Sequence, residues 1–467
     1  MKPEGKQRIF KFTKSITKYS ILLLCFWIST DIIGKLWLHG SGAWEISRRN
    51  YIAFCILYIV ILLVFWLLFE AYGVEQRRLM DLVYGQFFGA VCTNVFFCVL
   101  MCAVSDIAIG KLVVAFLKLL VIEAAIGIAW TLCFFNFYLK CQSCKNALFV
   151  YGNREDARET IQINNHINSY FKIVETAHYS TGTEALKEQV EGYEAVYLGD
   201  IPYEERNQLM KYCLKKGIAC YSVPKISDIY IQNTDVLQLH DKVLLKYRES
   251  GIKPEKAAVK RGMDIIVALL MLVIASPFML IIMICIKAED GGPILYKQDR
   301  VTIGGKAFQM LKFRSMRVDA EKEGARLAAK NDSRVTKIGK IIRNIHFDEL
   351  PQLINILKGD MSVVGPRPER MEFIEEYSKI IPEFKERLKV RGGLTGYAQI
   401  YSKYNTGPEE KAKYDLMYIY NYSLRLDIKL VFLTLRILFQ KENTEGVDEE
   451  QKSAVKNEKG ENTDDYR

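Results

Sequence analysis

Long apolar runs constrain the fold of this chain more than any other feature. Four of them fall in the first third of the sequence, at residues 21–38, 51–69, 82–104 and 113–139. Each supplies most or all of the ~20 apolar residues that a helix needs to cross a bilayer. The sequence therefore predicts a membrane α-helical bundle of four transmembrane helices over residues 19–140.

The charge pattern orients this bundle. Residues 1–18 are strongly basic and no small-residue cleavage site follows them, which predicts a cytoplasmic N-terminus and a retained first helix. Hydrophobic residues make up 50% of the chain and charged residues 25%, with a net charge of +10. That balance favours an anionic membrane surface or phosphorylated ligands. No nucleic acid is expected as a partner, because no basic tract interleaved with aromatic side chains is evident.

Short apolar runs alternate with amphipathic stretches over residues 146–250. Their order, β-α-β-α-β-α-β, predicts a Rossmann-like α/β domain with a doubly wound parallel sheet, followed by a charged connector over 225–256. The segment YGNREDA holds one glycine where a dinucleotide fingerprint has three. A structural or regulatory domain is therefore favoured over a nucleotide-binding one.

A fifth apolar segment, residues 265–286, would reach roughly 33 Å as a straight helix and is long enough to cross the bilayer. Ser276 and Pro277 stand near its middle, where proline removes a helical hydrogen bond and clashes with the preceding turn. The Ser276 hydroxyl or packed protein could cap the carbonyls that are exposed there. Basic residues flank both ends, which favours both ends on the cytoplasmic side. Two structures stay open on these residues alone: a proline-kinked crossing, and a re-entrant hairpin over 257–290.

The segment 341–368 concentrates ionisable side chains around one acidic pair, Asp348 and Glu349. With Pro351 in the first turn and Gly359 at the end, Asp348 is predicted to be a helix N-cap. A carboxylate at that position would have a lowered pKa, and an ionised carboxylate suits a nucleophile or a metal ligand. The alternative is that Asp348 only caps the helix. It is disfavoured because several basic residues lie near the pair in the sequence.

These cations come from several segments. Lys312 and Arg314 share one face of a predicted strand and suit contact with a pyrophosphate. Arg367 stands between two prolines that fix its backbone, which favours a bidentate grip on phosphate. Arg343 precedes the acidic pair, and Arg391, before two glycines, could add another phosphate contact.

Several ordered motifs match one enzyme family. FDELPQL, LKGDMS, VGPRPE, LKFRSM, GLTGYAQ and YDLMYIYNYSLRLDIK resemble the catalytic core of bacterial polyprenyl-phosphate glycosyl-1-phosphate transferases, in the monotopic phosphoglycosyl transferase superfamily. The resemblance covers about residues 257–443, and the long form of this family has four N-terminal transmembrane helices. It implies a re-entrant helix-break-helix hairpin at Ser276 and Pro277, followed by an α/β-containing monotopic catalytic domain over 291–440. Gly392 departs from the family, which commonly has proline at this place.

The resemblance also implies the chemistry. A sugar 1-phosphate would pass from a nucleoside diphosphate sugar, expected to be a UDP-hexose, to undecaprenyl phosphate with release of UMP, as the initiating step of capsule or exopolysaccharide synthesis. Asp348 would form a covalent aspartyl-phosphosugar intermediate, Glu349 would hold Mg²⁺, and Asp415 would order the site or handle a proton. The substrate phosphates would be bound by Lys312, Arg314, Arg343, Arg367 and Arg391.

The predicted location is the bacterial cytoplasmic (inner) membrane, as a multi-pass protein with the catalytic domain on the cytoplasmic face. The lipid bilayer and both substrates are the expected partners, and a homodimer stays open. Residues 427–440 have a broad apolar face that favours an interfacial helix over the alternative of a core helix. Residues 441–467 are charged and poor in apolar residues, which predicts a disordered tail.

Three other functions stay as alternatives. In a direct transfer, Asp348 would be a second metal ligand instead of a nucleophile. A membrane scaffold or nucleotide-sensing regulator would carry an inactive transferase domain, which the intact pair of Asp348 and Glu349 disfavours. A transporter or flippase built on the four N-terminal helices is disfavoured by their short loops and their scarcity of charge.

Overall fold

The computed structural model describes residues 48–71, 79–104, 107–141, 145–153, 160, 171–247, 251–318, 332, 334–402 and 406–437. The chain divides into two compact units, Met1–Val223 and Pro224–Arg467. Three predictions lie outside the described residues: the basic N-terminus, the first apolar run and the disordered tail.

Three long helices begin the described part of the first unit: α1 (Arg48–Leu68), α2 (Leu79–Val104) and α3 (Ile109–Cys141). They correspond to the second, third and fourth predicted apolar runs. Within the described residues, Leu79–Val104 and Ile109–Asn136 are long and apolar enough to cross a membrane, and α1 contains a shorter apolar stretch. The helical apolar segments are thus confirmed, whereas the count of four stays a prediction.

A buried polar cluster joins these three helices. The Tyr58 hydroxyl lies 2.7 Å from Oε1 of Glu123 and 2.9 Å from Oδ1 of Asn94, and the Asn94 amide donates to Oε2 of Glu123 at 2.8 Å. Buried polar groups in an apolar bundle are stable when they are paired with one another. The cluster therefore explains how Glu123 is accommodated among apolar helices.

The α/β part of the first unit is a four-stranded parallel sheet in the order β2-β1-β3-β4. Alternating apolar residues on the strands pack against two helices around Leu148, Val196 and Leu209. The predicted α/β domain with a parallel sheet is confirmed, whereas its doubly wound arrangement stays a prediction because the first helix lies outside the described residues. The elements are β1 (Lys145–Tyr151), β2 (Phe171–His178), α4 (Thr183–Val190), β3 (Ala195–Leu198), α5 (Tyr203–Lys216) and β4 (Ala219–Ser222).

The second unit opens with elements that the sequence did not predict. Residues interpreted as a charged connector form α6 (Ile226–Ile231) and an antiparallel hairpin of β5 (Thr234–Leu239) and β6 (Lys242–Tyr247). Both lie beyond the parallel sheet, whose last strand ends at Ser222. The sheet is therefore shorter than the predicted domain, which extended to residue 250.

Helix α7 covers Pro254–Asp290, and it is also long and apolar enough to cross a membrane. Its outer face exposes apolar side chains such as Val273 and Ile274, which are 71% and 69% exposed. The buried positions follow one stripe along the helix: Lys260, Asp264, Ala268, Ala275, Met279, Ile282 and Ile286. One side of α7 therefore packs against protein, while the other suits lipid.

The helix continues through Pro277. Val273 lies four residues earlier, so its carbonyl is the one that loses a helical N–H partner to the proline. The Ser276 hydroxyl donates to that carbonyl at 2.8 Å, which is one of the two possibilities that the sequence left open. The structure has one helix where the sequence predicts two separated by a break, and insertion of this segment as a re-entrant hairpin stays a prediction.

The rest of the second unit surrounds a core that includes Leu353, Val364, Tyr418, Leu430 and Leu433. Strands β7 and β8 form an antiparallel hairpin, and β9 and β10 pair in parallel. The elements are β7 (Leu295–Val301), β8 (Ala307–Phe313), α8 (Lys337–Asn344), α9 (Gln352–Lys358), β9 (Ser362–Val364), α10 (Met371–Ile380), β10 (Gly393–Thr395), α11 (Tyr397–Tyr401), α12 (Pro408–Tyr420) and α13 (Leu424–Ile437).

The predicted interfacial helix is instead a core helix. Asp427, Leu430 and Leu433 of α13 are each fully buried. The Asp427 carboxylate accepts from the Tyr418 hydroxyl at 2.8 Å and pairs with Lys260 of α7 at 2.6 Å. The preference for an interfacial helix was wrong because the apolar face of α13 packs into the core of the second unit.

Candidate active site

The acidic pair lies in a 3₁₀ turn, Phe347–Glu349, between α8 and α9. His346 precedes this turn and has left-handed backbone geometry, with φ of 56°. The chain changes direction there, and Asp348 in the turn is buried. Helix α9 starts afterwards, with Pro351 at its N-cap. The prediction that Asp348 caps this helix was therefore wrong by one turn.

Glu349 forms ion pairs with two cationic side chains. Its Oε1 accepts from Nζ of Lys312 at 3.0 Å and from Nη2 of Arg367 at 2.6 Å. Burial opposes ionisation of Glu349, but the charges of Arg367 and Lys312 outweigh it and hold its pKa well below the ordinary value. Glu349 is therefore an ionised carboxylate in a cationic setting.

Asp348 behaves in the opposite way. Its exposure is 9%, and burial raises its pKa, with a further rise from the adjacent Glu349 charge. Lys312, Arg343 and His346 oppose that rise through their charges. The predicted lowering of the Asp348 pKa was wrong because the side chain loses water on burial and does not cap α9, whose N-cap is Pro351. A buried carboxylate beside cations is nevertheless suited to nucleophilic attack once it is ionised.

Two side-chain bonds hold the Lys312 strand beside the acidic pair. Asn355, on α9, accepts from the Leu311 N–H at 3.0 Å and donates to the Gln309 carbonyl at 2.9 Å. Because Asn355 follows the acidic turn by less than two helical turns, it fixes β8 against the start of α9. Lys312 is thereby directed to Glu349.

Arg314 has a different environment from Lys312. Its guanidinium forms a fork on the Asp290 carboxylate and donates to the Pro293 carbonyl at 2.6 Å. Its side chain is only 6% exposed. The structure therefore brings Lys312 to the acidic pair but commits Arg314 to the end of α7.

The three remaining predicted cations also differ in whether they reach the acidic pair. Arg367 lies on the loop after β9, and Arg343 lies on α8, close enough for its charge to act on Asp348. Arg391 precedes β10. Among the contacts of the described residues, none joins its side chain to the acidic pair.

Comparison with known proteins covers this same region. A family model described as bacterial sugar transferase matches residues 255–441. A UDP-glucose:undecaprenyl-phosphate glucose-1-phosphate transferase of Caulobacter vibrioides is 38% identical over 208 residues, which cover 43% of this chain and 78% of the relative. The chain belongs to the bacterial sugar transferase family.

Longer relatives match over a smaller share of their length. A UDP-N-acetylgalactosamine-undecaprenyl-phosphate N-acetylgalactosaminephosphotransferase of Aeromonas hydrophila is 38% identical over 237 residues, 50% of this chain and 55% of the relative. A UDP-glucose:undecaprenyl-phosphate glucose-1-phosphate transferase of Xanthomonas campestris pv. campestris is 36% identical over 253 residues, 52% of each. The chain thus spans about half the length of these curated relatives.

The acidic pair could hold a divalent cation together with a phosphorylated ligand. Within the described residues no group of three His, Cys, Asp or Glu side chains could hold a metal. Mg²⁺, however, is usually bound by one or two carboxylates plus substrate phosphates. Both described bonds to Glu349 go to Oε1, so Oε2 and the neighbouring Asp348 are the oxygens suited to such an ion.

Asp415 is buried on α12 and forms an ion pair with Arg387 at 3.0 Å. Burial raises its pKa to about 6, although the Arg387 charge opposes the rise. Arg387 was not among the predicted site residues. It lies on a 3₁₀ segment, Pro382–Lys389, where the sequence reads as ordinary charged surface.

Two basic residues at the start of α7 also escaped prediction as site residues. Lys260 pairs with Asp427, and Arg261 donates from Nη1 to the Ile356 carbonyl at 2.6 Å and from Nη2 to the Leu357 carbonyl at 2.9 Å. Arg261 therefore caps the C-terminus of α9, the helix that follows the acidic pair. Paired basic residues before an apolar run indicate a membrane boundary from sequence, and nothing in that pattern distinguishes lipid contact from helix capping.

Proposed function

We propose that this chain transfers a sugar 1-phosphate from a UDP-sugar to undecaprenyl phosphate, releases UMP, and so begins assembly of a capsule or exopolysaccharide. The observation that carries the proposal is the buried Asp348 beside Glu349, whose carboxylate is held by Lys312 and Arg367. All four residues fall within the family match. The names of the relatives support the substrate classes, with UDP-N-acetylgalactosamine and UDP-glucose as donors.

The proposed reaction has two displacements at one phosphorus. A carboxylate oxygen of Asp348 attacks the phosphorus that bears the sugar, the bond to the UMP oxygen breaks, and the phosphosugar remains on Asp348. A phosphate oxygen of undecaprenyl phosphate then attacks that phosphorus and the bond to Asp348 breaks, which yields the lipid-linked sugar diphosphate. Lys312, Arg343 and Arg367 stabilise the negative charge.

Asp348 must be ionised to attack. Burial disfavours this state, and the charges of Lys312, Arg343 and His346 favour it. Binding of a polyanionic donor adds negative charge to the site. These cations therefore have to stabilise both the Asp348 carboxylate and the phosphates of the donor. We propose that Glu349 holds Mg²⁺ together with the donor phosphates, and when bound this ion would neutralise diphosphate charge.

Helix α7 is proposed to enter the membrane and keep both ends on the cytoplasmic side. Lys260 pairs with Asp427 near one end, and Asp290 pairs with Arg314 at the other. A straight helix of this length would measure ~55 Å, well beyond a bilayer core of ~30 Å. Because partners on the same catalytic unit hold both ends, a re-entrant segment accounts for these contacts better than a crossing does. The acidic pair would then lie beside the inserted segment, since Phe347 next to it contacts Phe278 of α7 at 6.1 Å between ring centroids.

Inner-membrane insertion through four N-terminal helices, with a cytoplasmic catalytic domain, is part of the same proposal. Two apolar helices of the first unit have the length to span a bilayer, which supports a multi-pass arrangement. Single cysteines replacing the exposed Lys256 and Lys287, in a background without other reactive cysteines, test the orientation of α7. Both should react with an impermeant maleimide in inside-out vesicles only; reaction from opposite sides would refute re-entry.

The transferase proposal is tested with purified full-length protein, undecaprenyl phosphate, Mg²⁺ and a panel of UDP-sugars. UMP release and extractable lipid-linked sugar should appear together with at least one donor. Asp348→Asn and Glu349→Gln should abolish both products, whereas Glu372→Gln, at an exposed acid on α10, should leave them unchanged. Absence of product with every donor, or normal turnover of Asp348→Asn, would overturn the proposal.

A further inference from the structure

Arg387 is a buried arginine, 8% exposed, that touches the backbone of an active-site residue. Its Nη2 donates to the Arg367 carbonyl at 3.0 Å and lies 3.0 Å from Oδ2 of Asp415. The guanidinium carbon also lies 4.4 Å from the centroid of the Phe384 ring. These contacts leave the Arg387 side chain little freedom to move independently of Arg367.

Arg367 is the residue that the Arg387 contact would control. Its Nη2 reaches Glu349 at 2.6 Å, and prolines on either side stiffen its backbone. Arg387 adds the hydrogen bond that fixes the Arg367 carbonyl. A continuous chain of contacts therefore runs from Asp415 through Arg387 and Arg367 to Glu349.

Asp415 lies at the buried end of this chain, with 2% exposure. Its Oδ2 has no aligned hydrogen bond despite the close guanidinium, so the contact with Arg387 is ionic. The charged groups that act on it are Arg387 on the 3₁₀ segment, Glu369 on the loop after β9, and Lys411 one turn earlier on α12. The described contacts of Asp415 thus lead to Arg387, and they include none with Asp348 or Glu349.

We propose that Arg387 is a positioning residue that sets Arg367 on Glu349, and that Asp415 influences the reaction through Arg387 instead of acting at the reacting phosphorus. The inference rests on the proposed transferase function. It assigns a role to a residue outside the predicted site, and of the two predicted roles of Asp415 it keeps the ordering of the site and drops proton handling.

The inference predicts a specific pH dependence. Burial raises the pKa of Asp415 to about 6, with Arg387 and Lys411 opposing the rise and Glu369 adding to it. Above this pH the Asp415 carboxylate is charged and holds Arg387; below it the ion pair is lost. Turnover that depends on the pair therefore falls as pH decreases through about 6.

The experiment compares Arg387→Gln, Asp415→Asn and the double variant with wild type, from acidic to neutral pH, using the donor that wild type accepts. Each single change should lower kcat/KM about 10²-fold, the loss typical when a reacting contact moves by ~1 Å. The double variant should be no slower than Arg387→Gln, because both changes disable one chain of contacts. The loss of rate near pH 6 that comes from Asp415 should disappear in both single variants, whereas any loss from protonation of Asp348 should be the same in all four proteins.

A direct catalytic role for Asp415 gives the opposite results. Arg387→Gln would then retain the loss of rate and move it to higher pH, because the charge that lowers the Asp415 pKa is gone. The effects of the two substitutions would also multiply. Either result overturns the inference, as would wild-type rates in Arg387→Gln.

Two further variants separate positioning from a general loss of structure. Lys385→Gln changes an exposed cation on the same segment and should behave like wild type. Arg387→Lys keeps the charge for Asp415 but lacks the fork of N–H donors, so it should recover part of the rate and keep the pH dependence. If Arg387→Gln fails to fold, an Arg387→Lys protein with no rate loss would itself refute the inference.

UDP titration with Mg²⁺ keeps the inference testable without turnover. A mispositioned Arg367 should weaken UDP binding about tenfold in Arg387→Gln, in the range expected for one charge-assisted phosphate contact. If wild type binds UDP but uses no donor, the proposed function is wrong while the positioning role is not contradicted. Unchanged UDP affinity in both Arg387→Gln and Asp415→Asn would reject the positioning role alone.

Discussion

Lys260→Met is expected to destabilise the second unit strongly. The Lys260 ammonium lies 2.6 Å from Oδ2 of Asp427 and 4.0 Å from Oδ1 of Asp264, and these carboxylates are 0% and 1% exposed. Methionine keeps most of the side-chain volume but leaves two buried carboxylates without their cation. Removing one partner of a buried ion pair costs about 3–5 kcal/mol. At 2–4 °C per kcal/mol for a domain of 150–250 residues, the unfolding midpoint should fall by about 6–20 °C.

The size of this loss should depend on pH. Burial raises the pKa of Asp427, and Lys260 opposes that rise. Without Lys260 the pKa rises further, so the folded variant holds a proton that the unfolded chain releases. Stability of the variant therefore decreases as pH rises from about 4, the ordinary aspartate value, through the raised pKa of the folded state. The difference from wild type should be smaller in mildly acidic buffer than at neutral pH.

The assay must report on the second unit. All five tryptophans lie in the first unit, so tryptophan fluorescence would miss this transition. Brief proteolysis after a thermal challenge, detected through a C-terminal tag, follows the catalytic unit instead. Lys256→Met, at an exposed position one turn earlier on the same helix, is the matched control. A midpoint for Lys260→Met within about 1 °C of that control would refute the buried-pair argument.

Three further changes probe other parts of the chain. Gly392→Pro should lower turnover at least tenfold, since a Cβ there would lie 2.5 Å from the Pro368 ring and a rigid neighbour cannot yield; UMP release measures it, and wild-type rates would count against the packing. Arg314→Gln should lower the unfolding midpoint while leaving KM for the donor within about twofold, because its guanidinium is paired with Asp290; a large rise in KM would support its predicted phosphate role. Glu123→Leu should lower the tryptophan-monitored midpoint of the first unit and leave UMP release unchanged, whereas lost transfer would link the bundle to the reaction.

Local patterns made much of the fold predictable. Alternating apolar and amphipathic stretches predicted the parallel sheet because each run fits one strand or one helix. The Ser276 cap on the Val273 carbonyl was predictable because proline always frees the carbonyl four residues before it. Lys312, Glu349 and Arg367 were found through motifs, and the structure brings these three together.

The failures share a cause in tertiary structure. Lys312 and Arg314 are equivalent by strand periodicity, yet one reaches Glu349 and the other Asp290. The pKa of Asp348 depends on how deeply its turn is buried, which no local pattern encodes. The proposed role of Arg387 depends on its hydrogen bond to the Arg367 carbonyl, twenty residues earlier in the chain. Long-range partners of charged side chains are what sequence periodicity leaves undetermined.

The covalent role of Asp348 can be measured directly. Wild-type protein is mixed with Mg²⁺ and the accepted UDP-sugar but no undecaprenyl phosphate, and UMP and the mass of the Asp348 peptide are followed. The account predicts a burst approaching one UMP per active enzyme, a phosphosugar on Asp348 that hydroxylamine removes, and neither in Asp348→Asn. UMP that forms only when acceptor is present, with an unmodified Asp348 peptide throughout, would contradict it.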